Sequence, residues 1–303
     1  MISILKEKRL LAYLIGNLSS ITATWGQRVI VFWIAWEISN SSAVIGTLAA
    51  LELLPSVLAA PFVGVMTDRW SAMRLARDIQ LLSALPPIVL FVFGLMDEIT
   101  VPVLMALSVA TGLLNGLDHP LRLLLVGKIV SKDKVAQGVA INSVVFNVGR
   151  MIGPTVGGWI VVTHAINLIF IFNAVSYFLF ALIFTVLMKK EEKSTNDAQE
   201  DGYENQAVES FFRVAFKSNI GPMFVTFSII ALLLRPIFEL LPGFTSRLQS
   251  STIEGAQVFS WMTTAQGFGA MCGGVLISFL MTKCKIELMS LVSSFLAVGA
   301  TAI

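Results

Sequence analysis

The sequence predicts an all-α polytopic membrane protein, because it is poor in charge and rich in long apolar runs. Only 13% of its 303 residues are charged, whereas a soluble domain has about 25%. A soluble surface built from so few charges would expose large apolar patches, so an ordinary soluble enzyme is excluded. The net charge of +2 is too small to indicate nucleic-acid binding, and two cysteines are too few for a disulfide or zinc framework.

Apolar runs of about 20 residues, the length of a helix that spans the hydrocarbon core, recur along the chain. Eight runs are complete, and a ninth begins near Leu288 and is still apolar at Ile303. Turn or charge signals separate them, and only the signal at His164 is weak. The complete runs are residues 10–37, 42–66, 76–96, 101–126, 137–163, 165–188, 219–242 and 256–281.

The basic residues follow the alternation that this number of spans requires. Sixteen Lys and Arg lie at the N-terminus and in every second loop, whereas the opposite loops contain only Arg247. By the positive-inside rule, the N-terminus is then expected to be cytoplasmic. The predicted location is the inner or plasma membrane of the cell, which the protein crosses several times. The sixteen are Lys6, Lys8, Arg9, Arg69, Arg74, Arg77, Lys128, Lys132, Lys134, Lys189, Lys190, Lys193, Arg213, Lys217, Lys283 and Lys285.

An acidic, weakly apolar stretch at residues 191–209 divides the first six runs from the remainder. After it, apolar and basic residues alternate as in a short amphipathic helix on the membrane surface. The predicted organisation is therefore a six-helix bundle over 1–188, a cytoplasmic linker over 189–218 and an incomplete second bundle over 219–303.

The loop between runs two and three combines a glycine, an acid and several bases: Gly64, Asp68, Arg69 and Arg74. Gly64 allows two helices to approach closely, and Asp68 can accept hydrogen bonds at a helix end or pair with a nearby arginine. This spacing resembles the loop motif of the major facilitator superfamily, whose cluster braces the outward-facing state and opens during transport. An ordinary positive-inside loop would explain the arginines but not the spaced Gly and Asp.

Run five carries a stripe of glycines at every fourth residue, along which another helix can pack closely. A proline within it is expected to kink the helix at membrane depth. The pattern resembles the fifth-span motif of proton-coupled exporters in the superfamily, and a generic packing stripe is the alternative. The motif consists of Gly149, Arg150, Gly153, Pro154, Gly157 and Gly158.

Run eight carries a second stripe of small residues, Ala265, Gly269 and Gly273. In the superfamily fold the fifth and eighth spans face one another across the two halves. The resemblance therefore implies that the two stripes are in contact and slide during a rocking motion.

The resemblance covers essentially the whole chain and points to the drug-exporter branch that includes macrolide and siderophore exporters. It implies a major facilitator fold with a complete N-terminal bundle and, because spans ten to twelve are absent, a C-terminally truncated second half. The implied function is proton-coupled efflux of amphipathic small molecules, with no cofactor besides the proton gradient and no obligate protein partner. A non-transporting membrane protein is the alternative, and no histidine or nucleotide-binding motif indicates an enzyme or an ATP-driven pump.

Ionisable side chains within the runs are costly in lipid and are therefore candidates for proton coupling. Six of them are taken as the candidates: Arg28, Glu52, Asp118, Arg150, Arg235 and Glu239. Arg28 and Glu52 have the same predicted depth and could pair, and Asp118 and Arg150 form a second plausible pair. The last two are four residues apart and share one helix face. Static pairs that only hold helices together are the competing interpretation.

Overall fold

The computed structural model describes residues 7–163 and 165–192, together with residues 257–259, 261–262, 264–265 and 268–269 of a later helical segment. Up to Glu192 the described chain forms eight helices and no strand, so the predicted all-α architecture is confirmed there. The helices are α1 (Lys8–Ser39), α2 (Ser42–Ala59), α3 (Phe62–Arg69), α4 (Ala72–Ser83), α5 (Leu85–Leu95), α6 (Val101–Ile129), α7 (Val135–Val162) and α8 (Ile166–Glu192). A 3-10 turn, Lys132–Lys134, precedes α7.

Two of the predicted runs are each divided into two helices. Run two becomes α2 and α3, with the break at Ala60 and Pro61, and run three becomes α4 and α5, with the break at Ala84. Both breaks lie at prolines: Pro61 is at the first break, and Pro86 and Pro87 are in the first turn of α5, after Ala84 and Leu85. Proline lacks the backbone N–H that would continue the helical hydrogen bonding, so each break is a local consequence of the sequence.

Within the described chain, five segments are long and apolar enough to cross a membrane: Ser42–Ala59, Ala72–Leu95, Val101–Ile129, Val135–Val161 and Ile166–Met188. The predicted first span, residues 10–37, falls outside this set although α1 has 32 residues and is about 48 Å long. Polar side chains such as Asn17, Gln27 and Arg28 lower its apolar content. Asn17 and Gln27 are buried, so α1 turns these polar groups towards other helices rather than towards lipid.

The predicted boundaries after run five can be compared with the structure only in part. The weak break at His164 lies between the end of α7 at Val162 and the start of α8 at Ile166. Helix α8 continues to Glu192, beyond the predicted bundle end at 188. Most of the predicted linker and second bundle, including Arg235, Glu239 and Gly273, lies outside the described residues.

The interior of the bundle has two apolar clusters with polar side chains between them. From α1 the first cluster takes Leu10, Tyr13 and Leu14, and the second takes the buried residues between Val29 and Trp36. From α8 the first takes Phe180, Phe184 and Leu187, and the second takes Ile169 and Phe170. The buried polar side chains, which we call the polar layer, are Asn17, Ser20, Gln27, Gln80, Ser83, Ser108, Asp118, Arg122, Asn173 and Ser176. Such groups are tolerated away from water only when they are paired, so this layer contains the candidate site.

The glycine stripe of α7 packs against α1. A Cβ added to Gly153 would lie 2.6 Å from the Cβ of Trp25, and one added to Gly157 would lie 2.6 Å from the carbonyl oxygen of Gly26. A Cβ on Gly149 would also meet α1, at 2.8 Å from an Ile21 methyl group. The two backbones therefore approach more closely than any side chain would allow.

The predicted contact between this stripe and the stripe of run eight is therefore wrong for the described residues. Helix α7 meets the later segment through a different face, where the hydroxyls of Thr155 and Thr264 lie 2.8 Å apart. Thr155 is two residues from both Gly153 and Gly157, and residues two apart point to different sides of a helix. A Cβ added to Gly269 would meet no described atom within 4 Å.

Candidate functional site

A cavity of about 340 Å³ opens within the polar layer. Side chains from α1, α2, α4, α5, α6, α7 and α8 line it, so every long helix of the described bundle contributes. Its charged lining residues in the described chain are Arg28, Glu52, Asp118, Arg122 and Arg150. The structure thus brings four of the six predicted intramembrane charges to one cavity and adds Arg122, which the prediction did not include.

Arg28 and Glu52 form an ion pair across α1 and α2, as their predicted depths indicated. Both side chains are about 85% removed from solvent, with 15% and 16% of their surfaces exposed. The close packing of α2 on α6 fixes the position of the acid, because Gly112 of α6 lies directly against the backbone of Glu52. The guanidinium of Arg28 also lies 5.1 Å from the ring centroid of Phe32, within the range of a cation–π contact.

Asp118 pairs with Arg122, so the predicted pairing of Asp118 with Arg150 is wrong. The Arg122 Nε–H donates to Asp118 Oδ2 at 2.5 Å, and the Gln80 amide donates to Asp118 Oδ1 at 2.6 Å. Arg122 is four residues after Asp118 and lies one turn further along the same helix face, which makes it the nearer guanidinium. The acid is 4% exposed.

The remaining donors of Arg122 connect this pair to α1. Its Nη1 donates to Asn17 Oδ1 at 2.5 Å, and its Nη2 donates to Ser20 Oγ at 3.0 Å. Asn17 in turn donates to Asn142 Oδ1 of α7 at 2.7 Å. Four helices therefore share one network, and each polar group in it reduces the cost of burying the others.

Sequence reasoning missed five members of this network: Asn17, Ser20, Gln80, Arg122 and Asn142. The spacing of Asp118 and Arg122 was a usable signal, because charges four residues apart on a helix are neighbours. Neither Asn17 nor Gln80 has such a signal, since an isolated amide in an apolar run does not show which helix it faces.

Arg150 lies beside the same indole ring as Arg28. Its guanidinium carbon is 5.4 Å from the ring centroid of Trp25, and that of Arg28 is 5.7 Å from the same centroid. The contact follows from the glycine stripe, because the close approach of α7 to α1 brings Arg150 over the α1 surface.

A model of the family described as Major Facilitator Superfamily matches residues 13–303. The chain belongs to the Major Facilitator Superfamily. It is therefore a multi-pass membrane protein with the fold of that transporter family, as the resemblance implied.

One solved structure and one curated relative show how far this likeness extends. The structure is a bacterial homolog to the human lysosomal transporter Spinster, in an inward-facing and unoccupied conformation, with a TM-score of 0.59 and 14% identity. The match covers 92% of this chain and 64% of that one. The relative is a Staphyloferrin A transporter of Staphylococcus aureus (strain NCTC 8325 / PS 47), 25% identical over 175 residues. That match covers 57% of this chain and 44% of the relative's length, so the chain spans less than two thirds of either protein.

The residues of the superfamily loop motif lie at the turn between α3 and α4. Asp68, Arg69 and Arg74 are exposed there, and no hydrogen bond or ion pair joins Asp68 to another residue of the described ranges. A Cβ added to Gly64 would meet no described atom within 4 Å. The close helix approach expected at this glycine is therefore not made within the described part of the chain.

The fifth-span motif of the superfamily forms one continuous helix with buried small residues. Gly153, Pro154, Gly157 and Gly158 are all buried, and α7 runs through the proline without a break. The motif therefore acts locally as a packing surface for α1, and it holds Arg150 at the cavity wall.

Proposed function

We propose that the protein is a secondary active transporter of the drug and siderophore exporter branch, exporting amphipathic small molecules in exchange for protons. The observation that carries the proposal is the polar cavity, in which two carboxylates each pair with an arginine. The fifth-span motif and the similarity to a Staphyloferrin A transporter support the choice of branch. The proton gradient supplies the energy, and neither a metal nor an organic cofactor is part of the proposal.

The two ion pairs provide a means of coupling protons to substrate. A carboxylate beside a guanidinium remains ionised, whereas one that loses its partner in apolar surroundings is more readily protonated. A substrate that binds in the cavity competes for the arginine, so substrate and proton occupy the site in turn. Rocking of the two halves around the cavity then exposes it to each side of the membrane alternately.

The surroundings of Asp118 favour a role in proton transfer over a purely static pair. The Gln80 amide donates to Asp118, while its own Oε1 is buried with no hydrogen-bond partner among the described residues. If Asp118 takes up a proton, rotation of this amide would let the new O–H donate to Oε1. The network can therefore stabilise both protonation states with the same side chain.

The decisive experiment is efflux as a function of pH in cells that express Glu52→Gln or Asp118→Asn. We expect the ratio of efflux with the proton gradient to efflux without it to fall by about tenfold or more in at least one variant. A change of this size corresponds to a typical coupling free energy. Macrolide, dye and siderophore panels are used as substrates. Glu37→Gln is the control, because Glu37 is exposed at the end of α1. Unchanged gradient dependence in both variants would leave the pairs with a static role.

We also propose that the N-terminus is cytoplasmic, which cysteine labelling tests directly. In a background with Cys272→Ser and Cys284→Ser, Thr100→Cys should react with an impermeant thiol reagent in intact cells. Ser131→Cys should react only after permeabilisation, because its loop carries the basic residues. Both positions are exposed at helix ends, so the comparison is matched. The reverse labelling pattern would refute the orientation.

A further inference from the structure

We propose that Gln27, Ser83 and Ser108 form a hydrogen-bonding subsite of the cavity, which binds an uncharged, hydroxyl-bearing part of the substrate. Three helices build this subsite, since Gln27 belongs to α1, Ser83 to α4 and Ser108 to α6. The inference rests on the proposed transport function and specifies its substrate class.

The two serines are buried polar groups that the fold leaves open to the cavity. Ser83 is 6% exposed and Ser108 is 8% exposed, and both line the cavity. Neither hydroxyl has a hydrogen-bond partner within the described part of the chain, yet neither is sealed off in the way that Gln80 Oε1 is. A buried hydroxyl without a partner is costly, so these two groups are suited to a partner that enters the cavity.

Gln27 adds a donor to the two hydroxyls. Its Oε1 accepts a hydrogen bond from Asn173 Nδ2 at 2.9 Å, which fixes the orientation of the Gln27 amide. The amide nitrogen of Gln27 has no partner among the described residues, although the side chain is 7% exposed and lines the cavity. An amide N–H can only donate, whereas a serine hydroxyl can donate and accept. A ligand hydroxyl, which also does both, can pair with either kind of group.

The ion pairs at the cavity use their charges within the bundle. Asp118 accepts from Arg122 and from Gln80, and Glu52 pairs with Arg28. The subsite, by contrast, consists of neutral donors and acceptors. A hydroxyl matches such groups and is cheaper to remove from water than an ionised group. The polar part of the ligand that binds at the subsite is therefore uncharged.

Helix α6 extends the subsite along one face. Ser108, Thr111 and Asn115 are three and four residues apart, so they share the face of α6 that lines the cavity. Asp118 lines the same cavity and is about 15 Å further along the helix axis from Ser108. A ligand held at Ser108 can therefore extend towards the charged pair that the proposed coupling uses.

An apolar wall adjoins the subsite. Leu104 precedes Ser108 by one helical turn, and both Leu104 and Leu90 of α5 line the cavity. The two leucines belong to the second apolar cluster, so they are fixed by packing. Binding sites of this type combine an apolar lining with a few polar groups that orient the ligand. The subsite thus fits an amphipathic molecule whose polar end carries hydroxyls.

Chloramphenicol and its diacetate test the proposal with the purified protein in lipid nanodiscs. Chloramphenicol is an uncharged amphipathic diol, and the diacetate is the same molecule with its hydroxyls blocked. Equilibrium dialysis, corrected with empty nanodiscs for partition into lipid, gives both dissociation constants. We expect the diol to bind at least about tenfold more tightly. Ser83→Ala and Ser108→Ala should each weaken diol binding by about three- to tenfold, the range of a neutral hydrogen bond, and leave diacetate binding unchanged.

Ser143→Ala is the matched control for the serine variants. Ser143 is an exposed residue of α7 outside the cavity lining, and its hydroxyl donates to the carbonyl oxygen of Val139 in its own helix. This variant should bind the diol with wild-type affinity.

The melting temperature of the ligand-free protein separates a binding role from a structural one. Ser83→Ala and Ser108→Ala each remove a hydroxyl without a partner in the described ranges and introduce a better helix former. We therefore expect an unchanged or higher melting temperature in both variants, together with weaker diol binding. The double variant Ser83→Ala/Ser108→Ala should remain folded and lose the preference for the diol.

Several results would each overturn the subsite: equal or tighter binding of the diacetate, no binding of the diol, or unchanged diol affinity in both serine variants. A lower melting temperature in both variants would also overturn it, because the hydroxyls would then be structural. The proposed function fails separately. Serine-dependent diol binding in a protein without gradient-driven transport would refute the transport proposal and retain the subsite. Gradient-driven export of diol and diacetate at equal rates, unchanged in the serine variants, would do the reverse.

Discussion

Replacing Gly112 with alanine should destabilise the bundle by about 1–3 kcal/mol or more, the range of overpacked cores. An added Cβ would lie 2.3 Å from the carbonyl oxygen of Glu52, which is backbone and cannot rotate away. Helices α2 and α6 must then separate, and the ion pair between Glu52 and Arg28 should weaken with them. The melting temperature of the purified protein measures the effect, and efflux should fall in parallel.

Gly46→Ala provides the matched control on α2 itself. A Cβ at this position would meet no described atom within 4 Å, and alanine is a better helix former than glycine by about 1 kcal/mol. We therefore expect an unchanged or slightly higher melting temperature. If Gly112→Ala behaved like Gly46→Ala, close contact between α2 and α6 would not determine the position of Glu52.

Replacing Arg122 with glutamine should cost about 3–5 kcal/mol of stability, because it leaves Asp118 buried without its guanidinium. The double variant Asp118→Asn/Arg122→Gln removes both charges and should recover a substantial part of that loss. Unfolding in denaturant, monitored for the wild-type protein, both single variants and the double variant, gives the interaction free energy as a double-mutant cycle. Additive effects in the cycle would show that the pair contributes little, and the network around Arg122 would need a different account.

The helices themselves were predictable because lipid leaves the backbone few alternatives. An apolar run of sufficient length in a membrane satisfies its own hydrogen bonds only as a helix, so run lengths alone placed α6, α7 and α8 to within a few residues. The Arg28–Glu52 pair was accessible in the same way, since depth in a helix follows from counting residues at a fixed rise. The family itself could be recognised from the loop and fifth-span motifs.

Which helix or side chain contacts a given helix face could not be predicted from run lengths or depth. The spacing of Gly149, Gly153 and Gly157 shows that one face of α7 is small, but the helix opposite is set by the whole arrangement, and it is α1. The partner of Asp118 depended similarly on side-chain geometry, because Arg122 and Arg150 are both plausible by depth. The amide of Gln80 gives no periodic signal at all, although it is a direct partner of Asp118.

The polar character of α1 has a consequence for how the protein is made. Among the helices up to Glu192 this one is synthesised first, and it is not among the segments that are long and apolar enough to span a membrane by composition. Its principal neighbours, α7 and α8, are synthesised last among the helices up to Glu192. The buried amides and Arg28 of α1 must therefore be sheltered by the insertion machinery or by earlier helices until those neighbours arrive. We therefore expect the polar side chains of α1 to become buried only after α7 and α8 have been inserted and have packed against it.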